Sequence, residues 1–424
     1  MNANRAFELL GRLAFTRMSG TDEELKAAQI LAQEAQAVGV EHEIEPFTVR
    51  DGVVERATLE VLEPYRQTYE VTGMRRSLDT GDEGIEAELV YVENALDANL
   101  VDAKGKIVLY NGYLNYDPYE RIKRAGALGA IAFSGSIQDT PEDMELALRM
   151  LRPKMTDAFG DLYAVNVRAA DALDMVRRGA SRVRMVVRAR NVELTSHNVY
   201  ATIPGTTYPD EIVSLGAHYD SVEYSKGVYD NGAGSVILTE LMRHFSAHPA
   251  RRTLKFMWFG SEEVGLCGST HFCEAHEAEL KRHKIMINVD VAAPILGSDK
   301  CIVMGDDALE HYVRGMMREN GFPVDVSSDT YSSDSIPFAD HGVAAVNFAR
   351  FAAPGAGFIH DHRDTMDFLS ADALGKTLRY AFTFTDKVAN APVFPFDGKV
   401  SDDMKAKVDS TSSGASKSRR FSID

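Results

Sequence analysis

Lys255-Phe256-Met257-Trp258-Phe259-Gly260-Ser261-Glu262-Glu263-Val264-Gly265-Leu266 is the stretch on which the reading of this chain turns. Its first five residues are mostly large and apolar and Gly260 closes them, the pattern of a buried strand. Two adjacent carboxylates then stand where the strand ends. In an open α/β sheet, ligands bind in the crevice outside the carboxyl ends of the strands. Neighbouring Glu side chains repel each other unless something positive lies between or beside them. A metal ion is the leading candidate, with one Glu as ligand and the other free to move protons. Alone, such a pair reads as a solvated acidic turn; the rest of the chain overturns that.

Working outward, strands at 198–203, 212–217, 255–259, 285–289 and 344–348 alternate with helices at 232–245, 270–282 and 308–320. A last helix runs from Ser370 to about Val388. This alternation predicts an α/β fold, a mixed central sheet with helices on both faces. Residues 4–38 read as helical, divided at Gly20, with Thr21 as N-cap and Glu24 completing a capping box. Segments 42–49 and 57–62 read as strands, the first confined to a sheet edge by Pro46. From 64 to 188 short strands and helices recur without any cluster of His, Cys or carboxylate at ligand spacing. The expected organisation is an N-terminal part of the main domain (1–63), an inserted smaller domain (64–188), a catalytic domain (189–396) and a polar tail without order (397–424).

Composition narrows the function. A chain of 424 residues, 45% hydrophobic, holds ample core for two or three domains. A net charge of −17 argues against nucleic acid or an anionic membrane as partner. Cys267, Cys273 and Cys301 make no disulfide framework and read as small buried thiols. The start, Met1 to Phe7, has no long apolar core and no cleavage pattern, and no segment approaches the ~18 apolar residues of a membrane span. A cytoplasmic location is expected, or a secreted one if a leader has been removed.

Several metal-competent side chains fall in loops or just past strands. His218 and Asp220 follow the strand ending at Ala217; two residues apart, they share a face, so Asp220 can hold the far ring nitrogen of His218. Asp230 opens the Gly-rich turn Asp230-Asn231-Gly232-Ala233-Gly234, where it is alternatively a helix cap. Asp290 follows 285–289, and burying it there costs several kcal/mol unless it is paired or bound to metal. His360 precedes the last helix with His362 as a rival ligand; Asp364 caps or orients. Two His, two Asp and one Glu, with one Glu to spare, suit two divalent ions sharing a carboxylate, and the imidazoles favour zinc. Trp258 reads as core, and His271, His276 and His283 as helix-surface residues. Arg350 and Phe358 are candidates for the pocket lining.

With these motifs in order, the sequence resembles the co-catalytic dizinc exopeptidases that include bacterial leucyl aminopeptidases and glutamate carboxypeptidase. The matching runs are Gly216-Ala217-His218-Tyr219-Asp220-Ser221, Gly227 to Gly234, Glu262 to Ser269, Asn288-Val289-Asp290, Ser333-Asp334, Gly342 to Val346, and His360 with Asp364-Thr365. Residues 89–187 are similar to that family's protease-associated insert. The resemblance implies two zinc ions per chain, bridged by Asp230, one site completed by Glu263 and His360 and the other by His218 and Asp290. It implies Glu262 as general base, Asp220 as partner of His218, and a peptide substrate cleaved by a dizinc-bridging hydroxide. Val291-Ala292-Ala293 stands where a Met is usual, and Ser335 where a His is common. An aminopeptidase is expected first, a carboxypeptidase or dipeptidase next; a mono-zinc glutaminyl cyclase-like acyltransferase and a receptor-like relative share the fold.

Overall fold

A computed structural model describes residues 1–143 and 145–412. The chain divides into two compact units, one built from Met1–Val49 and Thr195–Ser412, the other from Arg50–Leu194.

In the first unit one sheet runs in the order Val324–Ser328, Gly297–Met304, Ala345–Ala352, His283–Val289, Tyr208–His218, Arg252–Phe259 and the far end of Arg182–Ile203. Ala345–Ala352, His283–Val289, Tyr208–His218 and Arg252–Phe259 are parallel, and an antiparallel neighbour flanks this block on each side. The sheet is therefore mixed. Every residue of Arg252–Phe259 is buried, as a parallel strand covered on both faces requires. The two charged residues in it are compensated, Arg252 by Glu211 at 2.6 Å and Lys255 by Glu279 at 2.6 Å.

Alternation along the strands divides the core in two. Leu254, Phe256 and Trp258 pack with Val213, Leu215, Ile285 and Ile287 beneath helices Ala3–Arg12, Asp22–Ala37, Ala233–Ala247, Asp307–Glu319 and Ala371–Asn390. Met257 and Phe259 face the other way, onto Met286 and Phe272, Phe338 and Met404 of the helices on that side. Each large apolar side chain so buried contributes about 1.5–3 kcal/mol. From Tyr208–His218 the chain passes to Arg252–Phe259 on one side and then to His283–Val289 on the other. This reversal of strand order places the crevice at the carboxyl ends of these strands, where His218, Glu262, Glu263 and Asp290 stand.

The second unit carries its own sheet, with Ile85–Tyr91, Ile107–Leu109, Gly129–Ser134 and Tyr163–Arg168 parallel in that order and Thr72–Gly73 antiparallel at the edge. Tyr119, Ile122, Leu151 and Ala164 form one core on it, Leu59, Ile131, Val165 and Met175 another.

Some expectations are corrected. By its internal contacts the second unit spans Arg50–Leu194, beside the expected 64–188, and 42–49 and 57–62 are one strand, Glu41–Glu63. Strands Gly297–Met304 and Val324–Ser328 went unread, since Gly297-Ser298-Asp299-Lys300 and Ser327-Ser328 carry a turn-like composition. The helix at 270–282 is two, Cys267–Ala275 and Glu277–Leu280. The tail is not without order throughout: Asp402–Ser412 is a helix, with Met404 and Val408 buried. The expectation for 413–424 lies outside the described residues.

Candidate metal centre

His218 is the last residue of its strand and is buried. Its Nε2 lies 3.1 Å from Asp230 Oδ1 and 3.6 Å from Asp290 Oδ1, and its Nδ1 3.4 Å from Asp220 Oδ1. Asp230 turns its other oxygen to His360, whose Nε2 is 3.1 Å from Asp230 Oδ2 and 3.1 Å from Glu263 Oε2. Two sets of donor atoms result, His218 with Asp230 and Asp290, and Asp230 with Glu263 and His360; within each, the atoms lie within 4.8 Å of one another. Asp230 belongs to both. Among the described residues these are the groups of three such donors. The five residues read as ligands are thus brought together, while His362 is exposed and stands outside both groups.

Residues outside both donor sets hold these groups in place. Asp220 does more than face His218: its Oδ1 accepts the Glu262 N–H at 3.1 Å and its Oδ2 the Glu263 N–H at 3.2 Å. One buried carboxylate thereby joins the loop after Phe259 to the end of the His218 strand. Asp364, also buried, accepts the N–H of Tyr229 at 2.8 Å and of Asp230 at 3.2 Å, so it orients rather than binds. Left-handed backbone gathers here, with φ of 59° at Ser261, 57° at Val291, 79° at Ala293 and 62° at His360. A β-branched residue such as Val291 adopts that region only under constraint.

The electrostatics are those of crowded carboxylates. Burial pushes Glu262 well above the ordinary carboxylate range; His218 opposes this, and Glu263, Asp334 and Asp290 add to it. Burial likewise raises Glu263 and lifts Asp334 and Asp364 each to about 7. Glu263 drives the His360 imidazole to about 12, against its burial. Burial works to lower His218, yet Glu262, Asp220, Asp230 and Asp290 together raise it. Glu263 Oε1, Asp290 Oδ1 and His218 Nδ1 are buried with no hydrogen-bond partner. Buried carboxylate oxygens without donors are costly, and a cation between them is the direct remedy. The donor groups fit divalent-cation binding.

Arg350 has its guanidinium committed to other groups. It is buried, paired with Asp299 at 2.7 Å, and donates to the carbonyl of Pro294 at 2.8 Å. Phe358 is half-buried beneath the Arg363 guanidinium at 4.2 Å. His283 is no helix-surface residue: it opens a strand, is buried, and lies 2.5 Å from Ser214 Oγ. His271 and His276 sit 3.6 and 2.9 Å from Glu45. Trp258 is core, its Nε1 donating to the Ser235 carbonyl at 2.9 Å.

Comparison with known proteins meets the same segment. Residues 198–385 match the model of peptidase family M28. Aminopeptidase YwaD of Bacillus subtilis (strain 168) is 27% identical over 361 residues, 82% of this chain and 75% of that protein. Carboxypeptidase Q of Mus musculus is 28% identical over 322 residues, 70% and 68% of the two chains. Among solved structures, an aminopeptidase from Aneurinibacillus sp. strain AM-1 has a TM-score of 0.73 at 24% identity, covering 94% of this chain and 97% of its own. BSAP, a zinc aminopeptidase from Bacillus subtilis, has a TM-score of 0.74 at 22% identity, covering 95% and 99%. The motifs, the fold and the matched segment agree, and residues 198–385 carry the pattern of peptidase family M28.

Proposed function

We propose that this protein is a zinc-dependent exopeptidase, an aminopeptidase, with two metal sites per chain that share Asp230. The carrying observation is that one Asp230 oxygen faces His218 and the other faces His360. In this reading His218, Asp230 and Asp290 hold one ion and Asp230, Glu263 and His360 the other, and mixed imidazole and carboxylate ligation favours zinc. Bound there, the ions supply Lewis acidity and make water a nucleophile near neutral pH.

The remaining steps belong to side chains. Glu262 adjoins Glu263 and forms no ion pair or hydrogen bond with another described residue through its carboxylate, leaving it free to take a proton from the attacking water and return it to the departing amine. Asp220 fixes the backbone of both glutamates and backs His218. Asp364 sets the Asp230 turn from behind. The arginines near these loops are committed elsewhere, Arg17 to backbone carbonyls, Arg350 to Asp299 and Arg363 to Asp361, a poor provision for a C-terminal carboxylate. The Arg50–Leu194 unit is, on the same reading, a protease-associated insert.

The test is metal content together with a panel of aminoacyl and N-blocked peptides, with and without chelator. Cleavage of aminoacyl substrates, abolished by chelation and restored by zinc, is expected. A metal-free, inert protein would sink the proposal. Cleavage of N-blocked peptides from the C-terminus would move it to carboxypeptidase, and one metal with cyclisation of N-terminal Gln to an acyltransferase.

A further inference from the structure

Between helices Ala3–Arg12 and Asp22–Ala37 lies a turn whose polar residues point inward. Arg17 is 0% exposed. Among the described residues no carboxylate is ion-paired with it, and its guanidinium is spent on backbone carbonyls. Nε donates to Tyr219 at 2.6 Å, Nη1 to Leu13 at 2.5 Å, Phe15 at 2.8 Å and Lys226 at 2.6 Å, and Nη2 to Gly227 at 2.8 Å. The backbone is tied as well: Arg17 N–H donates to Ser221 Oγ at 2.9 Å, and its carbonyl accepts the Ser221 N–H at 3.1 Å. Burial lowers the guanidinium only to about 10, so it is a cation at neutral pH.

The loop that closes on this cation, 219–227, contains Asp220 and leads into Asp230. Gly227 in it has φ +56°, and a Cβ there would come within 2.8 Å of Arg17 Nη2. Behind the loop Asp364 collects the N–H groups of Tyr229 and Asp230. Carbonyls turned to a cation and N–H groups turned to a carboxyl group fix the segment from both sides. The turn also reaches the glutamate loop. Glu24, fully buried, accepts from Ser196 Oγ; Ser261 Oγ donates to Ser196 Oγ at 2.7 Å and lies 2.5 Å from Ser19 Oγ. Ser261 immediately precedes Glu262 and Glu263. A Cβ on Gly260 would collide with Glu24 Oε1, so strand end and turn meet backbone to side chain.

We infer that the turn 17–24 is a positioning element of the metal centre, with Arg17 its principal residue, acting through the loop that carries Asp220 and Asp230. The inference rests on reading that centre as a zinc site. Arginine suits the task because its planar fork presents five donors, whereas lysine has three on one atom. Arg17→Met keeps the apolar stem and leaves the Tyr219, Lys226 and Gly227 carbonyls without their donor. Positioning partners of metal ligands typically alter affinity or activity by about 10–100-fold.

The experiment titrates zinc into stripped protein against a chromophoric chelator, for the native chain, Arg17→Met, Arg17→Lys and Ser221→Ala. Zinc affinity is expected to fall about 10–100-fold in Arg17→Met, with part recovered in Arg17→Lys and a several-fold loss in Ser221→Ala. At saturating zinc, kcat falls while KM changes less. A variant that melts earlier but keeps native zinc affinity and native kcat below its melting temperature overturns the inference, since a purely structural role predicts that pattern. If Arg17→Met does not fold, unchanged affinity in both Arg17→Lys and Ser221→Ala overturns it equally. A native chain that takes up no zinc refutes the functional reading itself, a separate outcome.

Discussion

Replacing Glu262 by Gln should drive catalysis and stability in opposite directions. Burial raises this carboxyl well above its ordinary value, with Glu263, Asp334 and Asp290 adding to the effect against His218. In the metal-free protein the proton is therefore held more tightly folded than unfolded. The stability it supplies is fully present below the unfolded value, 4.5, and is lost as pH rises towards the folded one. The loss is at most about 1.4 kcal/mol per pH unit. Glutamine carries no such proton, so the stripped variant gains on the stripped native protein between pH 4.5 and 7, by at most about 3.5 kcal/mol. Turnover falls about 10²–10⁴-fold for loss of the proton carrier, about 2.7–5.5 kcal/mol on the barrier. Zinc content should not change, because Glu262 lies outside both donor groups. Urea melts of stripped protein at pH 5 and 7, zinc per chain, and hydrolysis of an aminoacyl anilide measure all three. Near-native turnover at native zinc content refutes the proton-carrier role. A stripped variant that loses ground to the native protein between pH 5 and 7 refutes the electrostatic argument.

Asp230→Asn weakens both donor sets at once, so zinc per chain should fall at both sites; atomic absorption showing one site filled as in the native chain would contradict the sharing. Metal at 100 to 1,000 times its dissociation constant stabilises a fold by about 2.7–4.1 kcal/mol, so chelation should lower the melting temperature and zinc should restore it. An unchanged melting curve would mean that the centre holds no ion. Arg350→Met strands Asp299, whose pKa burial already raises, and should cost about 3–5 kcal/mol in urea melts. Zinc affinity should be untouched in that variant, and a drop would put Arg350 in the site after all.

What was legible in the sequence and what was not divide along contact distance. His218, Glu262, Glu263 and Asp290 each end or follow a strand, so a local reading of apolar runs and their closing residues located them. Asp230 stayed open between cap and ligand and His360 against its rival His362 until the family resemblance chose between them. Asp220 and Asp364 were legible as orienting residues, but Arg17 escaped because its partners are remote: it meets the Tyr219 carbonyl across 202 positions. An arginine in a turn reads as solvated until those carbonyls close around it. Glu24 was legible only in part. Thr21 caps its helix, accepting the Glu24 N–H at 3.2 Å, and the Glu24 carboxylate reaches back to the Gly20 N–H at 3.0 Å, one residue before the cap, while its other oxygen accepts from the remote Ser196. Strands Gly297–Met304 and Val324–Ser328 were hidden by polar termini that the ladder tolerates at one side of the sheet.

The distribution of buried charge carries its own argument. Arg17, Glu24, Asp220, Asp334 and Asp364 are each 0% exposed, and each serves or adjoins the loops bearing the donor groups. Burying charge is weak evidence of stabilisation, since apolar residues of similar volume often do as well or better. Five such groups around the loops that bear the donor groups therefore point away from stability as their reason. They coincide with the left-handed backbone at Ser261, Val291 and His360, conformations that persist only where surrounding contacts over-determine them. A fold that bears both costs in one place is one whose carboxylates and imidazoles must converge before any cation arrives.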